Sequence, residues 1–427
     1  MQVTYKKLYL IALIFISGFM LLLSNDDQII VHVFAIFVLA FGSCAVSNFD
    51  LFHPLCWFPP FYALYSSAYA ILYLVGYNTK YGYSKEGLVY SWIGLAVFLI
   101  CISTKKVSII ISRHDNTGNS LGRLVLLLLD SYIFIAMVFI SRGSFSGKTQ
   151  IYNSQNGLIL LSFRITYLAI ILFSNELYKG LKNPGYNNKG ILISSFSLIS
   201  LFGLLTGERD YLFSVILITI ILLYFGKKLS NKVIIGMVPL GVIMLPLSHY
   251  YKYYLLDNIV AGKFDTSNIL VEFLDGEFIS AGRNLQILIN NHYYGYWKGK
   301  SLLNDLLIPF YHTGFSIQTW FNDTFFSPDN PTKYGFTLVG EGYSNFGIIG
   351  IVLVYAALAL LTGFLYKYSQ KNRYFMIVYI YMIPIIIYCT RADFANVLSP
   401  LLHYAVLGAM VAFILDRVDI IRSEKEM

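Results

Sequence analysis

The sequence predicts an all-α protein that crosses a membrane many times, and composition, long apolar runs and alternating basic connectors support this fold class. Hydrophobic residues make up 57% of the chain and charged residues only 13%, with a mean hydropathy of +0.63. A soluble domain is about half apolar and about one quarter charged. Runs near the roughly 20 residues that cross a bilayer as a helix recur throughout, unlike the weakly alternating strands of a membrane β-barrel.

The apolar runs predict about twelve transmembrane helices. The ninth is short and contains Pro239 and Pro246, which predict a kink. The predicted spans are Leu8 to Ser24, Ile29 to Ser47, Trp57 to Tyr77, Leu88 to Thr104, Val125 to Ile140, Leu158 to Tyr178, Ile191 to Thr206, Tyr211 to Gly226, Val233 to Leu247, Phe346 to Tyr366, Phe375 to Thr390 and Leu398 to Leu415.

The connectors between these spans predict the orientation, because Lys and Arg accumulate on the cytoplasmic side. Both termini are therefore expected in the cytoplasm, and the net charge of +8 needs no nucleic-acid partner to explain it. Most of the 31 basic residues belong to alternate connectors and tails: Lys6 and Lys7; Lys105 to Arg123; Lys179 to Lys189; Lys227 to Lys232; Lys367 to Arg373; and Arg417 to Lys425.

One long polar interval, residues 248–345, divides the chain and is expected to lie outside the cytoplasm. Residues 1–247 then hold the first nine spans, and residues 346–427 hold the last three with a cytoplasmic tail. Within the interval, residues 278–290 have the pattern of an amphipathic helix. Residues 302–320 form a second helical stretch that carries His312 and is broken by Pro309 and Gly314. Its apolar content predicts that it lies on the membrane or covers a cavity.

Five arginines fall at or near the outer face, where positive charge is disfavoured. Arg164 lies within an apolar span, where a charge is costly unless it faces a wet cavity, snorkels or has a counter-charge. Arg209 begins a helix, where backbone N–H groups and a guanidinium can together bind an anion, although Glu208 or Asp210 can neutralise it. The five are Arg142, Arg164, Arg209, Arg283 and Arg391.

Two of these arginines also have ordinary structural explanations. The dipole at the end of the eleventh span favours Arg391 without any ligand. A solvated helix face explains Arg283, Gln286 and Asn290 as well as a binding site does. As a group, however, the arginines favour an outer cavity for an anionic lipid head group with a diphosphate, because the guanidinium fork binds two oxygens and stays charged.

Glu341 is the candidate proton acceptor, since it stands between Gly340 and Gly342 just before an apolar span. Partial burial there would raise its pKa toward a useful value. Residues 293–297 contain tyrosines and a tryptophan that can stack on sugars, but an aromatic belt at the membrane interface explains them too. The cysteines show no disulfide framework and no zinc-ligand spacing.

The sequence resembles the Wzy-type polymerases of bacterial O-antigen and oligosaccharide repeat units. The resemblance rests on about twelve spans, one long outer segment late in the chain, and a few specific residues. These residues are Gly207 to Arg209, Arg283, the run from Gly340 to Gly347, and Arg391.

The resemblance implies a GT-C type glycosyltransferase-like membrane fold, without metal or cofactor, on the periplasmic face of the bacterial inner membrane. The reaction it implies transfers a glycan from an undecaprenyl-diphosphate donor to an acceptor sugar hydroxyl of another lipid-linked repeat unit. A chain-length regulator protein is the implied partner besides lipid. Arg209, Arg283 and Arg391 would hold the departing diphosphate, with Arg164 assisting, and Arg142 would be a further contact to substrate.

In the same resemblance, Glu341 would deprotonate the acceptor, and Tyr343 and His312 would contact substrate. Related ligases use a histidine, so His312 or His403 remains an alternative base. An O-antigen ligase of the same fold is the nearest alternative function. A lipid-linked oligosaccharide flippase is the alternative from another class, and it would place its charged residues along a path open to both membrane faces.

Overall fold

The computed structural model describes the chain outside 1, 78, 104–120, 143–155, 184–185, 187, 231, 235, 238–268, 312–313, 327–334 and 427. Within these described ranges the regular structure is helical, without a strand. The first eight helices, numbered in chain order, are α1 (Gln2–Leu23), α2 (Ile29–Val46), α3 (Pro54–Leu74), α4 (Glu86–Cys101), α5 (Leu121–Arg142), α6 (Gly157–Lys182), α7 (Lys189–Thr206) and α8 (Arg209–Phe225).

The remaining helices belong to the polar interval and the last predicted spans. A π-helical turn, Leu274–Phe278, joins α9 to α10, the 3-10 turn Cys389–Arg391 ends α15, and a second π-helical turn, Leu401–Val406, joins α16 to α17. The helices are α9 (Ile269–Phe273), α10 (Ile279–Asn290), α11 (Lys300–Leu307), α12 (Ile317–Phe325), α13 (Leu338–Phe346), α14 (Ile348–Ser369), α15 (Arg373–Tyr388), α16 (Ala395–Pro400) and α17 (Leu407–Glu426).

Every predicted span except the ninth coincides with described helix to within a few residues. The ninth, Val233 to Leu247, falls mostly outside the described residues. Eight of the described helices are long and apolar enough to cross a membrane, and α4 and the run Asp210–Phe225 are shorter apolar helices. Helix α3 has 21 residues, but its prolines, tyrosines and serines lower its hydropathy. The described part of the chain thus has several helices that are able to cross a membrane, as in a polytopic membrane protein, whereas the number twelve stays a prediction.

The chain forms two compact units that interleave along the sequence. Unit 1 comprises Met1–Ser108, Asp265–Lys367 and Ile385–Pro400, and unit 2 comprises Ile109–Phe264, Tyr368–Pro384 and Leu401–Met427. The helices of the polar interval therefore belong with the first four helices of the chain. The predicted division at residues 247 and 345 follows chain order and does not describe this interleaving.

Helix α3 lies at the centre of unit 1, and α10 packs closely on it. The buried Tyr62 hydroxyl donates to the Ser91 carbonyl at 2.7 Å, which ties α3 to α4. A Cβ added at Gly282 would lie 2.9 Å from the Ser66 carbonyl oxygen, so only a glycine allows α10 this close to α3. The next residue along α10 is Arg283, which this packing places inside the unit.

Helix α13 is held by glycine contacts on two sides. A Cβ added at Gly340 would lie 2.8 Å from Leu288 of α10, and one added at Gly342 would lie 2.7 Å from the backbone of Ile351 in α14. The glycines that flank Glu341 therefore serve close packing. They bury Glu341 rather than expose it.

Replacing Gly342 with Ala is expected to destabilise unit 1 by about 1–3 kcal/mol, the usual cost of overpacking a tight contact. The added methyl would meet backbone atoms, which cannot rotate away as a side chain can. A thermal melt of the purified protein in detergent measures the effect. Gly190→Ala is the matched control, because Gly190 also lies in a helix but has open space around its Cβ position. Equal melting temperatures for the two variants would contradict the packing argument.

In unit 2, buried charges join α6, α15 and α17. The Lys179 ammonium donates to Glu176 at 2.8 Å and to Asp416 at 2.6 Å. Asp416 also accepts from Arg373 and, at 3.0 Å, from the Tyr374 hydroxyl. Glu176 accepts from the Tyr186 hydroxyl at 2.5 Å. Buried charges persist when they are paired and hydrogen-bonded in this way, so this network fixes the packing of three helices.

Candidate functional site

Arg283 projects from α10 into the interior of unit 1 and is 5% exposed. Its Nε donates to Asn284 Oδ1 at 3.3 Å, and its guanidinium lies over the Phe326 ring, 5.4 Å from the centroid. The predicted amphipathic helix is confirmed. The explanation that Arg283, Gln286 and Asn290 lie on a solvated face is wrong, because Arg283 and Gln286 are buried and only Asn290 is exposed. The reason is that α3, α4 and α13 all pack on α10.

Arg391 ends the 3-10 turn that follows α15 and is half-buried. Its guanidinium lies over the Tyr388 ring, 4.7 Å from the centroid. Its carbonyl oxygen closely approaches Gly335, where an added Cβ would come within 2.5 Å. A side chain at position 335 would therefore displace the turn that carries Arg391.

Gly335 also contacts Asn284, the residue that follows Arg283 in α10. The Asn284 side-chain amide donates to the Gly335 carbonyl, and α10 packs against the turn Cys389–Arg391. The residue after Arg283 and the backbone of Arg391, which are far apart in the chain, thus contact the same residue of unit 1. Burial and aromatic faces lower the local polarity around two guanidinium groups, which strengthens their attraction for an anion.

Glu341 is completely buried, with 0% exposure, although the sequence predicted partial burial. Its Oε1 accepts from the Ser301 hydroxyl at 3.3 Å, and its Oε2 accepts from the Phe394 N–H at 2.8 Å. Burial, followed by the charges of Asp305 and Asp393, raises the pKa of Glu341 well above its ordinary value. These partners are internal to the protein, so in this structure Glu341 holds protein groups; its role as a proton acceptor stays a prediction.

Two acidic residues beside Glu341 were missed in the sequence. Asp305 Oδ2 accepts from the Ala395 N–H at 3.0 Å, and Asp393 Oδ1 accepts from the Asn396 N–H at 3.2 Å. Burial is the main cause that raises the pKa of Asp305 to about 7 and also raises the pKa of Asp393. One feature of the sequence could have indicated Asp305: it is a lone carboxylate in an apolar stretch, and a buried carboxylate needs a hydrogen-bond partner.

An exposed aromatic surface lies beside α13. We define it as Tyr293, Tyr294, Tyr296 and Trp297 of the loop 291–299, together with Trp320 of α12. Tyr294 and Tyr296 are 64% and 56% exposed. Tyr296 stacks on Trp320 with centroids 5.6 Å apart, and Trp297 meets Trp320 edge-on at 5.2 Å. Each ring thus packs against another ring, which fixes its orientation and leaves an apolar surface exposed.

The backbone of this loop is fixed to α13. Gly295 N–H donates to the Tyr343 carbonyl at 3.3 Å, and Trp297 N–H donates to the Ser344 carbonyl at 2.9 Å. His292 and Lys298 have φ values of 56° and 47°, a left-handed conformation that costs energy for residues with a side chain. Residues kept in such conformations by surrounding contacts cluster at functional sites.

The other predicted site residues are distributed as follows. Tyr343 is buried between the rings of Tyr90, 5.2 Å away, and Tyr294, 5.9 Å away. Arg142, at the end of α5, and Arg164, on α6, are both exposed and belong to unit 2, as does His403. Arg209 begins α8 as predicted, but its side chain and the whole of His312 lie outside the described part of the chain.

Among the described residues, no group of three or more His, Cys, Asp or Glu side chains has an arrangement that could hold a metal ion. In the described ranges the fold defines a class: an all-helical chain with eight candidate membrane-spanning helices, as in a polytopic membrane protein, whose long polar interval carries the buried Arg283 and the buried Glu341. Comparison of the chain with models of protein families, with curated proteins and with solved structures found no match.

Proposed function

We propose that this protein is a membrane glycosyltransferase that polymerises undecaprenyl-diphosphate-linked oligosaccharide repeat units, as the Wzy-type resemblance implies. The observation that carries the proposal is that the buried Arg283 and the half-buried Arg391 belong to neighbouring segments of unit 1, because Asn284 and the Arg391 carbonyl both contact Gly335. In the proposed enzyme these arginines bind the diphosphate of the donor lipid. The reaction takes place on the periplasmic face of the bacterial inner membrane, and the fold is of the GT-C type.

Electrostatics explains why arginines suit this reaction. When the sugar bond to the carrier breaks, negative charge grows on the departing diphosphate. Preorganised positive charge in a site of low polarity stabilises that developing charge and is often the largest single contribution to catalysis. Arg283 is fixed by burial and by Asn284, so little reorganisation is needed when the charge appears. For Arg209, Arg164 and Arg142, which belong to unit 2, the resemblance alone supports a role in substrate binding.

The aromatic surface supports a glycan as the other ligand. Sugar rings present C–H faces that pack on aromatic rings, while their hydroxyl groups need polar side chains nearby. Tyr and Trp combine an apolar face with a polar tip, and the exposed Asn291, His292 and Lys298 border the same loop. An aromatic surface of this kind accommodates different sugars, which suits an enzyme that handles a growing chain.

An O-antigen ligase of the same fold is the second enzyme candidate, and a flippase is the candidate from another class. Loss of a ligase leaves free polymer on the undecaprenyl carrier. Loss of a flippase leaves single units on the cytoplasmic side of the membrane. Loss of a polymerase leaves single units that have already crossed the membrane.

The test is to replace Arg283 or Arg209 with Ala in the cells that make the glycan. We expect both variants to accumulate lipid-linked single repeats and to make at least about tenfold less elongated glycan than the wild type. The reason is that a charge-assisted contact in the transition state is worth several kcal/mol. Gel separation of the glycans and of the lipid-linked pool measures the outcome. Normal ladders from both variants at equal protein levels would overturn the assignment of these arginines.

A further inference from the structure

Three consecutive backbone N–H groups follow Arg391 closely, and a different carboxyl group accepts each of them. Phe394 N–H donates to Glu341 at 2.8 Å, Ala395 N–H to Asp305 at 3.0 Å, and Asn396 N–H to Asp393 at 3.2 Å. Only Asp393 is local in sequence, where it caps α16. The other two come from α13 and α11 and fix this turn to the polar interval.

A chain of hydrogen bonds extends from Glu341 to the aromatic surface. Asn345 Nδ2 donates to the Ser301 hydroxyl at 2.6 Å, and that hydroxyl donates to Glu341 at 3.3 Å. Asn345 Oδ1 in turn accepts from the Gly299 N–H at 2.9 Å. Glu341 therefore links the loop 291–299 with the turn that carries Arg391.

Glu341 and Asp305 accept from adjacent backbone N–H groups, those of Phe394 and Ala395. After burial, the charge of Asp305 is the next cause that raises the pKa of Glu341, because two ionised carboxylates buried near each other repel. The other titratable groups that face the pair are Asp393, from the turn after Arg391, and the Cys389 thiol, from the end of α15. Neither of these groups offers a positive charge to offset this repulsion.

We propose that Glu341 is a positioning residue that, together with Asp305, holds the segment just after Arg391 and couples it to the loop 291–299. In this role Glu341 acts on the reaction through Arg391 rather than as the proton acceptor that the resemblance implies. The test of this inference by glycan elongation rests on the proposed function, whereas the test by melting temperature does not depend on it.

The pH dependence follows from the raised pKa values. A carboxyl group whose pKa is raised by folding stabilises the fold below its unfolded value of about 4, and this stabilisation is lost as pH rises through the folded value. For Asp305 that value is about 7. Between these values folded Asp305 keeps a proton that the unfolded chain has lost, so the stability of the fold is expected to fall as pH rises toward about 7.

The decisive variants are Glu341→Gln, Glu341→Ala and Asp305→Asn. The Gln side chain keeps a carbonyl oxygen for the Phe394 N–H but cannot accept a proton from a substrate. We expect Glu341→Gln to elongate glycans within about threefold of the wild type, whereas a lost general base costs about 10²–10⁴-fold. Glu341→Ala, which removes the acceptor, should lose at least tenfold in rate, and added base should not restore it.

Melting temperatures between pH 5 and pH 8 provide the second readout. The wild type should melt at lower temperature as pH rises through about 7, and Glu341→Gln and Asp305→Asn should flatten this dependence. A folded Glu341→Gln protein with a hundredfold loss of activity would overturn the proposal, as would identical pH dependence of melting in all variants. If the wild type itself does not elongate glycans, the proposed function fails, and the melting data still decide the positioning role.

Discussion

Replacing the buried Lys179 with Met is expected to lower the free energy of unfolding by roughly 3–5 kcal/mol, the range found when one partner of a buried ion pair is removed. The ammonium contacts both Glu176 and Asp416, and Met would leave two buried carboxylates with less positive charge beside them. Arg373 would still pair with Asp416, so the deficit should be largest at Glu176. Thermal or denaturant unfolding in detergent measures the loss.

Lys189→Met is the matched control for this prediction, because Lys189 is exposed at the start of α7 and its charge lies in a polar setting. Exposed charges contribute little to stability, so the control should unfold like the wild type. If Lys179→Met and Lys189→Met unfold alike, the buried network does not fix the helices of unit 2.

Replacing Arg391 with Ala is expected to reduce the rate of glycan elongation by about 10²–10³-fold, which is typical when a preorganised donor to a developing negative charge is removed. Arg391→Lys should recover only part of this loss, because an ammonium keeps the charge but lacks the planar fork that binds two phosphate oxygens. Initial rates with purified protein and lipid-linked repeat units measure both effects. Melting curves show whether the variants fold.

Arg417→Ala is the control for Arg391→Ala. Both guanidinium groups lie over an aromatic ring, Arg391 over Tyr388 at 4.7 Å and Arg417 over Phe413 at 5.3 Å. Arg417 is exposed in α17 and belongs to the basic cluster that predicts a cytoplasmic tail. Both variants therefore remove one arginine that stacks on an aromatic ring, and only Arg391→Ala should reduce glycan elongation.

The spans of this chain were predictable from the sequence because their cause is local. A run of apolar residues that ends in Gly, Pro or charged residues defines a helix with little help from the rest of the molecule. The start of α3 at Pro54 and the left-handed Gly207 before α8 are local signals of the same kind. Helix positions in the described ranges agree with the predicted spans for this reason.

The environment of the candidate site was not predictable in the same way. Glu341 is buried because Gly340 and Gly342 pack on residues of α10 and α14, and nothing in the run Gly340 to Gly347 identifies those partners. Asp305 acquires its role from Ala395, 90 residues further along the chain. The arginines could be chosen by their chemistry, but the contacts of Asn284 and of the Arg391 carbonyl with Gly335 depend on tertiary packing that periodicity does not encode.

The most direct test of the proposed function uses the purified protein in detergent or lipid discs with undecaprenyl-diphosphate-linked repeat units, with and without a metal chelator. A polymerase should convert single units into a ladder of longer lipid-linked glycans, at equal rates in both conditions, and the Arg391→Ala protein should leave single units unchanged. A folded wild-type protein that produces no ladder from its own repeat unit, or an Arg391→Ala protein that elongates at the wild-type rate, would contradict the assignment.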